Sequence, residues 1–224
     1  MDNLGSVGIV EPVLSDAFAD DESFDVHLPL HLRMKSIVHF TPLSVAQHAA
    51  RLLAPVSGTR VLDVGSGPGK FCLTAARECP GSHFVGVEFR GKLVTVATNL
   101  AQQLGLSNVE FVHANAFDLD WAKFDSFYFF NPFAEQLYGG FLFIDHSIAF
   151  DPASYVTYVL AVRRRLAAAR IGTRVVTYHG FGGAAPAGYD LRSEQVFGSD
   201  RVELWQKTRE TYDYELDDDY RGAV

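Results

Sequence analysis

The run Val61–Lys70, VLDVGSGPGK, constrains the fold more than any other part of this 224-residue chain. Three apolar residues, Val61, Leu62 and Val64, surround an acid, Asp63, and glycines follow at 65, 67 and 69. Such a run reads as a buried strand that ends abruptly in a tight turn. Glycine accepts unusual dihedrals and lets a ligand approach the backbone closely. FCLTAAREC comes next with helical character, so the turn opens a helix. Strand, Gly-rich turn and helix together form a nucleotide-type binding element. The dinucleotide pattern GxGxxG is not met, because Lys70 stands where the third glycine belongs and Gly69 comes one place early. Asp63 would repel a nearby pyrophosphate and suit a ligand with cationic or hydroxyl groups. A plain strand-to-helix turn that binds nothing is the competing structural reading, and the elements downstream argue against it.

An acid followed by GxGxG resembles motif I of the class I S-adenosylmethionine (SAM) dependent methyltransferases. The resemblance covers roughly residues 36 to 208. It implies an α/β fold: a doubly wound, mostly parallel seven-stranded sheet in the order 3-2-1-4-5-7-6, closed by a C-terminal antiparallel hairpin. It also implies SAM as cofactor, S-adenosyl-L-homocysteine as product, and a cofactor-contact set that includes Asp63, Gly65, Ser66, Gly67 and Gly69. Asp63 would face the methionine ammonium.

The second strand, HFVGVEF (residues 83–89), ends in Glu88, 23 positions after Gly65. An acid at this tip accepts hydrogen bonds from both ribose hydroxyls, and Phe89 is placed to lie against the adenine face. After the third strand, NVEFVHAN (108–115), family members often carry an acid that takes the adenine amino group. Here Asn115 and Ala116 are the adenine candidates, since an amide carbonyl accepts the same bond; Asp118 is a nearby substitute. Before motif I, residues 36–54 contain a helix with Thr41 as cap and Pro42 at its first position. Phe40 and Thr41 are thus cofactor-contact candidates, against the equal reading of a hydrophobic staple and cap.

The fourth strand, FDSFYFF, runs into Asn131-Pro132-Phe133. This resembles the (Asp/Asn/Ser)-Pro-Pro-(Tyr/Phe) motif of amino-directed methyltransferases one proline short. It is also similar to the Asn-Asn-Phe of certain non-SET histone-lysine methyltransferases. Asn131, Pro132 and Phe133 are the catalytic candidates, with Asn131 also a cofactor-contact candidate: the Asn131 carbonyl would orient an N–H donor, and the Phe133 face tolerates developing positive charge. A strand-terminating turn is the competing reading. Tyr138, Phe141, Phe143 and Phe150 are candidates for the acceptor pocket, and His146 for a general base.

Asp151-Pro152 starts a helix to about Ala169, whose arginines 163, 164, 165 and 170 complement its dipole. TRVVTYHG is a fifth strand, and residues 189–197 and 201–208 read as a hairpin. Residues 1–35 are expected to be an acidic arm or lid, 36–208 the methyltransferase domain, and 209–224 an acidic tail. His27 and His31 have metal-pair spacing, but Pro29 interrupts a helix there, so no metal is expected.

Hydrophobic content of 48%, a mean hydropathy of +0.05 and the absence of a ~20-residue apolar run fit a soluble protein without a membrane span. No basic segment opens the chain, so no secretory signal is expected. Cys72 and Cys79 are two helical turns apart and read as reduced, placing the protein in the cytoplasm. The net charge of −8 disfavours nucleic acid and suits a basic or amine-bearing acceptor, a protein lysine or small amine. The expected function is therefore methyl transfer from SAM to such a nitrogen. An O- or C-methyltransferase of a small metabolite, a SAM-binding regulator without catalysis and an NAD-dependent oxidoreductase are the rivals; the last lacks its third glycine.

Overall fold

The computed structural model describes residues 17–138, 143–145, 147, 151–185 and 187–210. Seven strands form one sheet: β1 (Arg60–Val64), β2 (His83–Glu88), β3 (Val109–His113), β4 (Ser126–Phe130), β5 (Arg174–Tyr178), β6 (Tyr189–Phe197) and β7 (Asp200–Lys207). Their order is β3-β2-β1-β4-β5-β7-β6, as the resemblance implies. The first five run parallel, and β7 and β6 are antiparallel additions. The chain is thus α/β with a C-terminal hairpin. Among the described residues no helix is long and apolar enough to cross a membrane.

Successive strand residues face opposite sides, so the sheet separates two cores. Val61, Phe84, Tyr128 and Val176 meet α3 (Leu43–Leu53) and α4 (Lys70–Glu78) on one face. Leu62, Val85, Phe127, Phe129 and Val175 meet Trp121 and α7 (Pro152–Ala167) on the other. Being buried on both faces explains why these strands read as continuous apolar runs. α5 (Gly91–Gln103) joins β2 to β3, and the short α6 (Glu135–Tyr138) follows β4.

Two local expectations are corrected. Thr41 does not cap α3: the N-cap is Pro42, and the Thr41 hydroxyl lies 3.1 Å from Tyr128 Oη. The first free N–H of the helix, on Leu43, donates instead to Asp21 Oδ1 at 3.0 Å. The arginines after Leu160 do more than offset a dipole. Arg163 donates to the Ala184 carbonyl, Arg165 to that of Phe117, and Arg170 pairs with Asp125.

Upstream lie α1 (Asp21–Asp25) and α2 (Leu30–His39), the latter spanning the expected boundary after residue 35. Phe18 and Phe24 are buried there. Lys70, standing where a dinucleotide motif has glycine, is 2% exposed, and its Nζ reaches Asp21 and Asp25, each at 2.7 Å, and Ser36 Oγ at 3.1 Å. Phe141, His146 and Phe150 lie outside the described residues, as does the side chain of Tyr138.

Candidate cofactor and acceptor site

The carboxyl ends of β1, β2, β4 and β5 surround a cavity of about 510 Å³. In a parallel sheet a crevice opens where neighbouring crossovers leave in opposite directions, here between β1 and β4. The volume is that of a small-molecule site.

Gly65 follows β1 and forms part of the cavity wall. Its φ is +80°, and a β-carbon would fall 2.9 Å from Pro132 Cβ. Glycine is required twice over, by dihedral and by space. Gly69, the N-cap of α4 at φ +87°, serves the core instead, since a β-carbon there would meet the Phe111 ring at 2.5 Å.

Glu88 ends β2, is 5% exposed and faces the cavity. Its Oε2 accepts from Gly67 N–H at 3.1 Å and its Oε1 from Arg90 N–H at 2.8 Å. Burial raises its pKa, against the pull of those donors and of the Arg90 guanidinium. Each oxygen keeps a lone pair, so the carboxylate is fixed yet still able to accept a vicinal diol. Phe89, 59% exposed, with Asn115, Ala116 and Phe117, continues this wall. Asn115 Oδ1 already accepts from Phe117 N–H at 3.0 Å, which holds the amide at the edge of a short 3₁₀ turn.

Asn131 follows β4 at φ +38°, a region Asn tolerates. Its N–H donates to the Gly180 carbonyl at 2.8 Å, and its carbonyl accepts from Ala134 N–H. Beside it Phe133 stands 5.2 Å from the Tyr158 ring and 6.3 Å from Phe117, making an aromatic wall.

Of the residues singled out from sequence, Gly65, Glu88, Phe89, Asn115, Ala116, Asn131, Pro132 and Phe133 share the cavity wall. Phe40, Thr41, Asp63, Ser66, Gly67 and Gly69 lie behind it. Phe40 backs Gly67, and the Ser66 hydroxyl stands over Gly86. Asp63 is 4% exposed and accepts from Cys72 Sγ at 3.5 Å. Burial pushes its pKa up to about 8, with the negative charge of Glu88 adding to the rise.

Sequence reasoning passed over Arg90, His39, Glu135 and His179, which also line the cavity. The buried Arg90 guanidinium pairs with Glu135 and, at 3.2 Å, with Asp145, so it ties the segment after β4 to the Glu88 corner. His39 is pushed down to about 4 by burial and by the charges of Lys35 and Arg90, so it is neutral at physiological pH. No spacing rule marks these residues; the one available signal is position, since Glu88, Asn131 and His179 all stand at carboxyl ends of parallel strands.

The wall fits an adenosyl group: a buried diol acceptor in Glu88, a cradle at Gly65 that a side chain would fill, and an aromatic flank at Phe89. Known proteins agree. The family described as a methyltransferase domain matches residues 55–155. A tRNA (guanine-N(7)-)-methyltransferase from Synechococcus sp. (strain JA-3-3Ab) is 50% identical over 54 residues, 24% of this chain and 23% of that protein. A demethylmenaquinone methyltransferase from Listeria welshimeri is 30% identical over 98 residues, 43% of this chain and 42% of that one. The chain thus matches well under half of the length of each relative. An RNA methyltransferase from Salinibacter ruber, solved with S-adenosyl-L-homocysteine, shares the fold at TM-score 0.54 and 23% identity, covering 77% of this chain and 95% of its own.

The expectation that nucleic acid is disfavoured does not stand, because two of these similar proteins are named for RNA. Its physical weakness is that a net charge averages over the surface and does not fix the potential at one cavity. Residues 55–155 thus match a methyltransferase domain, and the sheet around them has the strand order that the resemblance to the class I methyltransferases implies.

Proposed function

We propose that this chain transfers the methyl group of SAM to a ring-borne nitrogen, with an RNA nucleobase as the acceptor class. The observation that carries this reading is that Asn131 and the stacked rings of Phe133, Tyr158 and Phe117 line the same cavity as Glu88. Planar rings stack on aromatic faces, and an amide reads their polar edge. The RNA-directed names of two similar proteins support the same class.

When bound, SAM supplies a methyl group already activated on a sulfonium. Glu88 holds the ribose hydroxyls, and the Gly65 backbone admits the methionine portion. Asn131 orients the acceptor, and Phe133 packs on its ring. Positioning and water exclusion supply the rate. The protein works in the cytoplasm in this reading. A small-metabolite acceptor is the second reading, favoured by the demethylmenaquinone-directed relative.

The test is transfer of tritium from methyl-labelled SAM to unmodified bulk tRNA transcripts and, in parallel, to a quinol extract. Asn131→Ala should keep its affinity for S-adenosylhomocysteine by calorimetry and lose about a hundredfold or more in transfer. Label in the quinol fraction alone would replace RNA with the metabolite. SAM that binds and is never consumed would make the chain a regulator.

A further inference from the structure

Among the described residues, Asn131 at φ +38° and His179 at φ +57° are the non-glycine residues with positive φ. They are neighbours. β4 and β5 pair Phe130 with Tyr178, so each strained residue follows the last pair. Asn131 N–H then donates to the carbonyl of Gly180, next to His179. Strained backbone persists where its surroundings hold it, and functional sites are where it concentrates.

The His179 ring is held from several sides. The Tyr178 and Phe130 rings lie 4.5 and 5.5 Å away. Nδ1 is 2.8 Å from Asp200 Oδ2, and Ser199 Oγ is 3.4 Å from Nε2. Both partners come from the β6–β7 hairpin, whose turn is Gly198-Ser199. Asp200 is itself fixed, its Oδ1 accepting from Arg201 N–H at 2.8 Å. A carboxylate on Nδ1 keeps a proton there and leaves a lone pair on Nε2. His179 and Ser199 both line the cavity that Asn131 lines.

We propose that His179, oriented by Asp200, receives at Nε2 the proton that an N–H or O–H acceptor gives up as it is methylated. This rests on the methyl-transfer reading and sharpens it. The acceptor–carbon bond forms, the methyl–sulfur bond breaks with its electron pair passing to sulfur, and the acceptor proton moves to Nε2. The imidazolium is balanced by Asp200 until it releases its proton to solvent. A pyridine-type ring nitrogen has no proton to give and does not need this pair. An amino, ring N–H or hydroxyl acceptor does. Asp200 is the positioning residue.

The charged and titratable groups facing His179 are Asp200 from β7 and Tyr178 from β5; β4 offers only Phe130. Arg201 is turned to Glu194 at 3.0 Å, and His39 lines the same cavity.

The first test needs no acceptor. In the full chain saturated with S-adenosylhomocysteine, nitrogen-15 histidine spectra should show neutral His179 as the Nδ1–H tautomer. Asp200→Asn should shift that tautomer balance toward Nε2–H. An Nε2–H tautomer in the wild-type chain overturns the proposal. The second test uses His179→Asn, because Asn keeps the tolerance for positive φ. Transfer to bulk tRNA transcripts, or to whichever of the two fractions is labelled, should fall about a hundredfold or more and lose the rising limb of its pH profile, with cofactor affinity unchanged. Retention of the wild-type rate and profile overturns it. A wild-type chain that fails to bind S-adenosylhomocysteine is a different result, which removes the methyl-transfer reading and this inference with it.

Discussion

Gly65 and Pro132 touch across the crevice: a β-carbon on Gly65 would stand 2.9 Å from Pro132 Cβ. The loop after β1 and the loop after β4 are therefore packed as one unit, and the Asn131 backbone is positioned against the cofactor loop. The φ of +80° at Gly65 adds about 1–2 kcal/mol for any L-residue, and the overlap adds about 1–3 kcal/mol. Gly65→Ala should accordingly lower both the urea midpoint and the affinity for S-adenosylhomocysteine. Pro132→Gly removes the overlapping carbon, so the double variant should recover part of the loss. Strictly additive effects in that double-mutant cycle would show that the contact carries no energy.

Much of this frame is legible in the sequence because both sheet faces are covered. Val61-Leu62, Val85 and the run Phe127 to Phe130 announce strands through burial alone, and Asn131 marks a strand end through its polarity. α2 was not legible for the opposite reason. Its Leu30, Met34 and Ile37 are 71%, 78% and 93% exposed, so its apolar spacing does not mark a core-facing side. The His179–Asp200 pair depends on how β7 lies against β5, which no local pattern specifies. Lys70 was visible as a departure from a glycine pattern, but its partners lie 45 and 49 positions upstream, at Asp25 and Asp21.

Lys70 is a second point for a decisive substitution. Its ammonium is buried, while Asp21 is about half exposed and Asp25 about one-fifth exposed. Removing one partner from a buried pair costs about 3–5 kcal/mol, and the hydration left to the two acids puts this case at or below the lower end. Lys70→Met should lower stability by about 2–3 kcal/mol and open the chain before Leu30 to limited proteolysis. A variant as resistant as wild type would mean that the ion pairs do not hold α1 to α4.

Glu88 is the residue on which cofactor affinity should depend most directly. Glu88→Gln keeps one oxygen for the Gly67 or Arg90 N–H and loses the charge. Hydrogen bonds to charged groups are worth about 1.5–3 kcal/mol, so affinity for S-adenosylhomocysteine should fall roughly 10- to 150-fold in calorimetry on the folded variant, and the urea midpoint should fall as well, because the new NH2 faces one of the two backbone donors. Unchanged affinity would remove Glu88 from the ribose.

Asp63 gives the ligand-free protein a pH signature. Its carboxyl titrates near 3.8 in an ordinary setting and near 8 in the fold, because burial removes its water and Glu88 adds negative charge. Between those values the unfolded chain has released the proton and the folded chain still holds it, so stability falls as pH rises. His39 acts in the other direction below its ordinary 6.5, since its folded value is about 4 and the unfolded chain binds the extra proton there. The two effects oppose each other between about 4 and 6.5 and part above it. The loss should therefore emerge between pH 6.5 and 8, where only the Asp63 proton remains at stake of the pair. Asp63→Asn, which resembles the protonated acid in shape and neutrality, should flatten urea midpoints across that window. A slope equal to the wild type would mean that Asp63 is ionised in the folded chain and that another group sets the dependence.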